Sequence, residues 1–292
     1  MMTTLPLGLS HNVPEEQYRS DAGLNQSLLK AFGTAKSPQH FLWEKEHPKE
    51  ETVSKRIGRF VDAAVATAIG TADSFSMNDR FVIYTGATRR GKEWESFKEF
   101  HAGKTVLNLS ESERAVEAAA ACAIHSDTQR ILTVAAKQVA VIAELPNIGR
   151  CKGLIDLLPD PKLCDPLLLA YAFDLKTADD ASPEGFAHAC YELGYDIQAA
   201  FYMDLLNACG VPVQNFGFIV VENRPPHLVK IHYLKRESLI IRRAQEKYMN
   251  WAISYRGCVA TDYWSSYTNS WSEITYRPWM LKDEGWQGDS LE

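Results

Sequence analysis

The chain has 292 residues, a formal net charge of −6 and 46% hydrophobic residues. This composition is that of a soluble globular protein, long enough to bury the core of one elaborated domain or of two small ones. The acidic balance argues against a surface that coats nucleic acid broadly, but it does not exclude a local basic groove.

Two further features narrow the class of protein. No apolar run approaches the roughly 20 residues of a membrane span, and the first residues lack the charged and apolar regions of a signal peptide. We therefore expect a cytoplasmic protein with no membrane partner. The six cysteines include no CxxC pair. A zinc or iron–sulfur cage normally needs that spacing, so we expect reduced thiols.

The first half of the chain is predicted to be mainly helical. Residues 1–20 form an extended lead-in without a clear pattern. Apolar residues at helical spacing predict helices over residues 24–32, 39–46, 56–69 and 110–124. The last of these opens with a capping pattern, Ser110 followed by Glu113. The stretch at 71–108 is polar and is predicted to be irregular.

From residue 137 onward the apolar period changes to that of strands. Two strands, 138–145 and 151–158, flank a Pro-Asn-Ile-Gly turn, which predicts a hairpin. Further strands are predicted over residues 167–177, 215–222 and 228–234, and helices over residues 183–209 and 237–255. We therefore predict one α/β domain with an N-terminal extension.

We divide the chain into three parts. An N-terminal helical extension covers 1–50, a central domain covers 51–256, and an irregular tail covers 257–292. The tail is rich in Trp and Tyr, and we expect four of its side chains to pack onto the body or onto a neighbouring subunit. These are Trp264, Trp271, Trp279 and Trp286.

Two acids and a lysine stand out in the predicted strands. Asp174 and Lys176 are two residues apart, so both side chains project from the same face of their strand. If the preceding strand is adjacent, Asp156 meets Asp174 at one edge of the sheet. Two carboxylates that close repel each other unless a divalent cation lies between them, and hard oxygen ligands favour Mg²⁺ or Mn²⁺. Glu144, on the strand before Asp156, either supplies another metal-binding carboxylate or is a solvated hairpin residue.

A simpler interpretation exists for these residues. Asp174 and Lys176 could form an ion pair at a strand end, since exposed charge pairs are common. The helix that follows favours a metal site, because Gln198 and Tyr202 are four residues apart and share one helical face. Both can hydrogen-bond a phosphate or a water on the metal. Together these side chains are the parts needed for metal-assisted phosphodiester hydrolysis.

The order Asp156, Asp174-x-Lys176 and Gln198-x-x-x-Tyr202 resembles the PD-(D/E)XK nuclease superfamily. Within it, the chain is similar to the RecE-like exodeoxyribonuclease VIII group, which is often encoded by phages and prophages. The likeness covers roughly residues 20–250 and includes several other segments. These are Leu24-Asn25-Gln26-Ser27 to Ser37-Pro38, Gly91-Lys92-Glu93-Trp94, Gly103 to Leu107, Cys151-Lys152-Gly153, Ala181-Ser182-Pro183 and Glu222 to Pro226.

The resemblance implies a restriction-endonuclease-like nuclease domain at 51–256, with a mixed central sheet flanked by helices. It also implies an Mg²⁺-dependent exonuclease, with Mn²⁺ as a substitute, that digests one strand of linear double-stranded DNA from its end. The implied direction is 5′ to 3′, and the product is single-stranded DNA for recombination. A ring-shaped homo-oligomer and a RecT-type single-strand-annealing partner are further implications.

The resemblance also assigns roles to individual residues. Asp156 and Asp174 would hold the metal, and Lys176 would position the attacking water. Gln198 and Tyr202 would orient the scissile phosphate.

The chain departs from the family's pattern at two positions. The family usually carries a further metal-site histidine in a Gly-x-x-x-His helix, and here Asp62 stands at that position after Gly58. Aspartate can also ligate Mg²⁺, so either activity survives with a changed metal affinity or the site is impaired. The second departure is Leu154, where the family often carries an arginine before the acid.

A basic cluster precedes Trp94. Arg89, Arg90 and Lys92 would each most often be solvated, but as a set they are candidates for contacts with DNA phosphates. We favour this cluster because Trp94 could pack against a base or a sugar.

Two other functions fit the same residues. A catalytically weak member could act as a DNA-binding or partner-recruiting module, which Asp62 and the negative net charge motivate. An endonuclease or a nickase on the same fold is the other alternative. Comparing linear with covalently closed DNA separates an exonuclease from an endonuclease, and Mn²⁺ titration helps to separate an active site from an impaired one.

Overall fold

The computed structural model describes residues 4–68, 77–164, 166–267, 270–277 and 280. The strands are, in chain order, β1 (Gly8–Ser10), β2 (Phe81–Tyr84), β3 (Thr105–Asn108), β4 (Ala135–Leu145), β5 (Gly149–Pro159), β6 (Tyr171–Ala178), β7 (Asn215–Glu222) and β8 (Val229–Lys235). The helices are α1 (Glu15–Ser20), α2 (Gln26–Thr34), α3 (Pro38–Glu46), α4 (Val53–Ala68), α5 (Met77–Arg80), α6 (Gly91–Phe100), α7 (Leu109–Ile124), α8 (Ser126–Val134), α9 (Pro166–Leu169), α10 (Pro183–Leu193), α11 (Tyr195–Ala208) and α12 (Leu239–Thr261).

Six strands form one sheet in the order β1-β4-β5-β6-β7-β8, and β2 pairs with β3 in a second, two-stranded sheet. In the large sheet β6 and β7 run parallel, and the other neighbours are antiparallel. The connection from β6 to β7 carries α10 and α11, since parallel neighbours require a crossover. The predicted mixed sheet flanked by helices is confirmed.

The β4–β5 hairpin fixes the register in the middle of the sheet. Its turn places Asn147 and Gly149 at φ values of 63° and 81°, in the left-handed region that Asn and Gly adopt at low cost. Leu145 pairs with Gly149, and the same register continues to Ala135 opposite Pro159. The predicted hairpin is therefore present, with longer strands than the sequence indicates.

Helices cover both faces of the large sheet. On one face α2, α11 and α12 enclose a core that contains Phe201, Phe216 and Tyr248. On the other face α4, α7 and α8 enclose a second core that contains Ile57 and Leu132. Burial of such side chains, worth roughly 25 cal/mol per Å² of apolar surface, holds the central strands between two packed layers.

A glycine in β5 lets α11 pack close to the sheet. A Cβ at Gly153 would lie 2.8 Å from Leu205 Cδ1 and 3.0 Å from Tyr202 Cε1. Both distances are shorter than an ordinary contact between carbon atoms, so a larger residue would push the helix away. The Cys-Lys-Gly motif therefore places Tyr202 directly over β5.

Two basic residues of β5 anchor the N-terminal extension. Lys152 is 4% exposed, and its ammonium donates to the main-chain oxygens of Tyr18 at 2.8 Å and of Asp21 at 2.5 Å. Arg150 pairs with the Asp21 carboxylate at 2.6 Å. Because buried charges are costly without partners, these contacts hold the extension to the edge of the core.

Three predicted elements differ from the structure. The predicted helix over 183–209 is two helices, because Gly194 adopts the left-handed conformation and ends α10 before α11 begins. Of the stretch at 71–108, the structure describes 77–108, and this part is not irregular but contains α5, β2, α6 and β3. These strands are four residues long, too short for a clear alternation. The predicted strand over 167–177 begins only at Tyr171, since α9 precedes it, and β1, α1 and α8 have no predicted counterpart.

Of the four tail tryptophans predicted to pack, the described residues include Trp264 and Trp271. Trp264 stacks on Phe41 with ring centroids 6.0 Å apart, whereas Trp271 is exposed. Trp279 and Trp286 lie outside the described residues, as does position 69 at the end of the predicted helix before β2. None of the six cysteines forms a disulfide.

In the described parts of the chain, every helix is too short or too polar to cross a membrane.

Glu111, at the start of α7, is a buried acid held by two arginines. It is 3% exposed and accepts hydrogen bonds from Arg56 at 2.9 Å and from Arg89 at 2.6 Å. Its carboxylate also accepts the main-chain N–H of Asn108 and so caps the helix. Burial acts to raise the pKa of Glu111, but the hydrogen bonds from Arg89 and Arg56 outweigh this effect and lower the pKa.

We predict that Glu111→Gln lowers the free energy of unfolding by about 3 kcal/mol at pH 7, because it leaves two arginines without their carboxylate. The folded-state pKa lies below the unfolded value, so this stabilisation is present above roughly pH 4.5 and is lost as the pH falls through the folded pKa. Urea denaturation at pH 7 and at pH 3 measures the difference, with the exposed Glu113→Gln as the control. An equal loss at both pH values would contradict the prediction.

Candidate active site

Asp156 and Asp174 lie opposite each other on neighbouring strands. The ladder between β5 and β6 pairs Leu157 with Phe173, and in an antiparallel pair the next position places Asp156 across from Asp174. One Asp156 oxygen accepts the main-chain N–H of Leu175 at 3.3 Å. The Asp156 side chain therefore binds the Leu175 amide of β6 at the place where β5 and β6 cease to pair.

Asp174 is held from two sides. Its carboxylate is 2% exposed and forms an ion pair with Lys176, two residues along the same strand. Its other oxygen accepts a hydrogen bond from Gln198 Nε2 at 2.5 Å. A buried carboxylate needs such partners to offset its loss of water, so α11 and β6 together fix its position.

Lys176 lies between the acids and an aromatic ring. Its ammonium is 4.8 Å from the ring centroid of Tyr195, a cation–π contact. Burial alone would lower the pKa of Lys176, but the carboxylates of Asp174 and Asp156 outweigh it and raise the pKa. The side chain is therefore a charged hydrogen-bond donor at neutral pH, not a base.

A helix brings a third acid to the same place. A Cβ at Gly58 would lie 3.3 Å from Thr177 Oγ1, so glycine permits α4 to approach β6 just after Lys176. Asp62 follows one turn later on the same helical face. Burial, followed by the repulsion of Asp174, raises the pKa of Asp62 to about 6.

The three carboxylates act on one another. Burial, and then the negative charges of Asp174 and Asp62, raise the pKa of Asp156 well above its ordinary value. A divalent cation would offset this repulsion, and carboxylate oxygens are the ligands that Mg²⁺ and Mn²⁺ prefer. Among the described residues, however, no group of three or more acidic, histidine or cysteine side chains is already arranged to hold a metal. The donor chemistry fits such an ion, while Asp174 is bound by Lys176 and Gln198.

The β4–β5 hairpin brings Gln138, and not Glu144, to the site. Val139 pairs with Ile155, so Gln138 lies opposite Asp156, and its Nε2 donates to Asp156 Oδ1 at 3.2 Å. Glu144 pairs with Arg150, six residues further along β4, which is about 20 Å at the rise of a strand. The prediction of Glu144 as a metal ligand is therefore wrong, since this strand brings Gln138 to the site instead.

The predicted basic cluster is divided by the fold. Arg89 donates to Glu111 at 2.6 Å and is 5.7 Å from the ring of Trp94. This guanidinium is a structural partner of a buried acid, which corrects its prediction as an open phosphate contact. Arg90 and Lys92 are exposed at the start of α6, and their contact with DNA stays a prediction.

Gln198 and Tyr202 share one face of α11, as their spacing predicts, but each has an internal contact. The amide of Gln198 is taken by Asp174 at 2.5 Å, so its role in this structure is to position a carboxylate. Tyr202 is 7% exposed, and its ring lies over Gly153. These two residues form the floor of the site; the predicted contact with a phosphate stays a prediction.

Two residues of the site were not predicted to carry its chemistry. Tyr195 had no signal beyond its place at the start of a helix that follows a glycine. Gln138 carries no carboxylate, although counting residues outward from the hairpin turn places it across from Asp156. Counting equal numbers of residues from the turn along both strands would have identified Gln138.

Comparison with known proteins supports the fold. A protein of Eubacterium rectale, described as "Putative exonuclease", has a solved structure that matches 86% of this chain and 87% of its own, with a TM-score of 0.56 and 16% identity. A phage related exonuclease from Haemophilus somnus 129PT matches 82% of this chain and 96% of its own, with a TM-score of 0.37 and 12% identity. Comparison with curated proteins finds no significant match.

The family is set by a match over most of the chain. The model of a PDDEXK-like domain of unknown function (DUF3799) matches residues 25–270, which include every strand from β2 to β8 and the three site acids Asp62, Asp156 and Asp174. The opposed aspartates, the adjacent lysine and the mixed sheet fit that description. This chain belongs to the PDDEXK-like family.

Proposed function

We propose that this chain is a divalent-metal-dependent deoxyribonuclease that digests linear double-stranded DNA from an end. The observation that carries the proposal is the position of Asp156 across from Asp174, with the ammonium of Lys176 bound between the acids and Tyr195. An ordinary surface ion pair would not be buried beside two further carboxylates. The fold shared with a protein described as "Putative exonuclease" is compatible with this function.

Each residue has a distinct part in the proposal. Asp156 and Asp174 would hold Mg²⁺ or Mn²⁺, which supplies positive charge for the developing phosphate and lowers the pKa of a water. Lys176, a charged donor, would orient the attacking water and stabilise negative charge on the phosphate. Gln198 keeps Asp174 in place, and Asp62 would add a carboxylate oxygen from α4 as a further metal ligand.

The finer features come from the likeness to RecE-type exonucleases. We propose Mg²⁺ as the metal, a 5′-to-3′ direction and single-stranded DNA for recombination as the product. We also propose a ring-shaped homo-oligomer, a RecT-type annealing partner and a cytoplasmic location. These features rest on the motif resemblance alone.

A second function is favoured by one observation. Asp174 is bound by Lys176 and Gln198, and the described side chains form no ready metal cage. A chain in which these contacts persist would bind DNA or a partner without cleaving it. Metal binding by the intact protein separates the two functions.

The first prediction concerns Lys176. We expect Lys176→Ala to reduce digestion of linear duplex DNA by at least about 100-fold, because a positioned charge at the reacting phosphate is lost. Single-turnover digestion in Mg²⁺ measures the rate, and thermal unfolding checks that the variant is folded. Lys235→Ala, at the exposed end of β8, is the control. Wild-type cutting by Lys176→Ala would refute the assignment.

The second prediction concerns the amide that holds Asp174. We expect Gln198→Ala to weaken Mn²⁺ binding by about 10- to 100-fold, since the metal-binding carboxylate loses its orienting donor. Isothermal titration calorimetry gives the affinity. Gln245→Ala is a matched control, because Gln245 donates to Asp204 at 2.9 Å elsewhere in the fold. Equal Mn²⁺ affinity in both variants would show that Gln198 does not position a ligand.

The third prediction concerns the substrate. We expect the protein in Mg²⁺ to digest linear duplex DNA and to leave covalently closed circles intact. Agarose gels of the same plasmid before and after linearisation test this directly. Cleavage of closed circles at a comparable rate would instead indicate an endonuclease or a nickase.

A further inference from the structure

A second basic feature includes residues of α4, the helix that carries Asp62. A cleft of about 700 Å³ opens between α2, α3 and the start of α4. Its walls carry four basic side chains, which we call the lysine cleft: Lys45, Lys49, Lys55 and Arg59. All four are exposed, so the cleft is open to a ligand from solvent.

The charge of the lysine cleft is only partly neutralised. Lys49 pairs with Glu44 and Arg59 pairs with Glu51, each at 3.3 Å, and such exposed pairs are weak. Lys45 forms no ion pair with any side chain in the described ranges.

Lys55 is likewise without an ion pair in the part of the chain that the structure describes, and so is Glu50, a carboxylate of the same wall. Two ammonium groups are therefore available to an anion, and the four basic side chains of the cleft outnumber its three carboxylates, those of Glu44, Glu50 and Glu51, by one.

One helix leads from the cleft to the acids. Lys55, Arg59 and Asp62 are spaced four and three residues apart and share a face of α4. At 1.5 Å per residue, Lys55 and Asp62 are about 10 Å apart along the helix axis. In a DNA strand of a duplex this distance spans about three nucleotides. A strand bound in the cleft could thus reach the carboxylates within a few nucleotides.

A fifth basic side chain lies between the cleft and the site. Lys30, on α2, donates to the main-chain oxygen of Leu193 at 2.6 Å, two residues before Tyr195, whose ring holds Lys176. Burial, and then the positive charges of Lys176 and Lys55, lower the pKa of Lys30. Lys30 therefore lies within electrostatic reach of both Lys176 in the carboxylate site and Lys55 in the cleft.

We propose that the lysine cleft binds the phosphodiester backbone of the DNA strand that enters or leaves the carboxylate site. This proposal rests on the nuclease function proposed above. A polyanion suits the cleft because adjacent phosphates can engage Lys45 and Lys55 together and displace their counterions. The cleft, and not only the exposed cluster at the start of α6, then carries the strand to Asp62.

The test is DNA binding without cleavage. The full chain is titrated against a fluorescein-labelled duplex oligonucleotide in EDTA, and anisotropy is followed at several salt concentrations. We expect the double variant Lys45→Gln/Lys55→Gln to bind about tenfold more weakly at 0.1 M salt. We also expect the slope of log K against log salt to fall by about two, one for each lost phosphate contact.

Two variants make the result specific. Glu50→Gln removes the opposing carboxylate of the same wall and is expected to tighten binding by about two- to threefold. Lys235→Gln removes one positive charge outside the cleft, where the double variant removes two inside it, and is expected to leave affinity within about twofold. Circular dichroism confirms that each variant is folded.

The outcomes separate this proposal from the nuclease function. Unchanged affinity and salt slope in the double variant, an equal loss in Lys235→Gln, or no DNA binding by the wild type would each overturn the cleft. If the wild type cleaves DNA and the double variant binds DNA normally, the nuclease function stands and the cleft proposal is refuted. If the wild type binds DNA through the cleft but never cleaves it, the cleft proposal stands and the nuclease function is refuted.

Discussion

The candidate site depends on one buried carboxylate, that of Asp174. At 2% exposure it cannot stay charged without partners, and it takes them from two elements, Lys176 of β6 and Gln198 of α11. Removing one partner of such a buried pair typically costs about 3–5 kcal/mol, which is a large share of a domain's stability. The fold must therefore keep β6 and α11 at a fixed distance and orientation. Two glycines allow the helices that carry site residues to pack close to the sheet. Gly153 admits α11 against β5, and Gly58 admits α4 against β6.

The same contacts that hold the site also restrain it. Lys176 and Gln198 occupy both oxygens of Asp174, while Asp156 is bound by Gln138 and by the Leu175 amide. A cation that binds here must compete with the ammonium for Asp174 but gains by relieving repulsion among three acids. The acids thus have partners within the chain and also an electrostatic reason to accept a cation. In our proposal, Lys30 lies on the path of a polyanionic substrate from the lysine cleft to this site.

Much of the site was predictable because its spacing is local. The alternation of Asp174 and Lys176 in a strand, and the helical spacing of Gln198 and Tyr202, follow from backbone geometry alone. The prediction that Glu144 binds the metal was wrong because it used closeness in sequence to Asp156. A hairpin instead pairs residues at equal distances from its turn. The same rule selects Gln138. Proximity along the chain is a poor guide once a turn intervenes.

Other features depend on packing between distant segments and had no local signal. The division of one predicted helix at Gly194 requires the left-handed conformation that only the folded loop imposes. Arg89 looked like an open cation because its partner, Glu111, lies 22 residues away along the chain. The lysine cleft likewise exists only where α2 and α3 pack beside α4. The strands β2 and β3 pair with each other, and each is too short to show a clear alternating pattern in the sequence.

The most direct test of the central claim is a crystal structure of the protein soaked in Mn²⁺, with anomalous diffraction to locate the metal. Our account predicts a Mn²⁺ ion bound by carboxylate oxygens of both Asp156 and Asp174, with the ammonium of Lys176 turned from Asp174 toward the substrate side. Crystals soaked in saturating Mn²⁺ that show no anomalous peak between these carboxylates, with Asp174 still paired to Lys176, would contradict it.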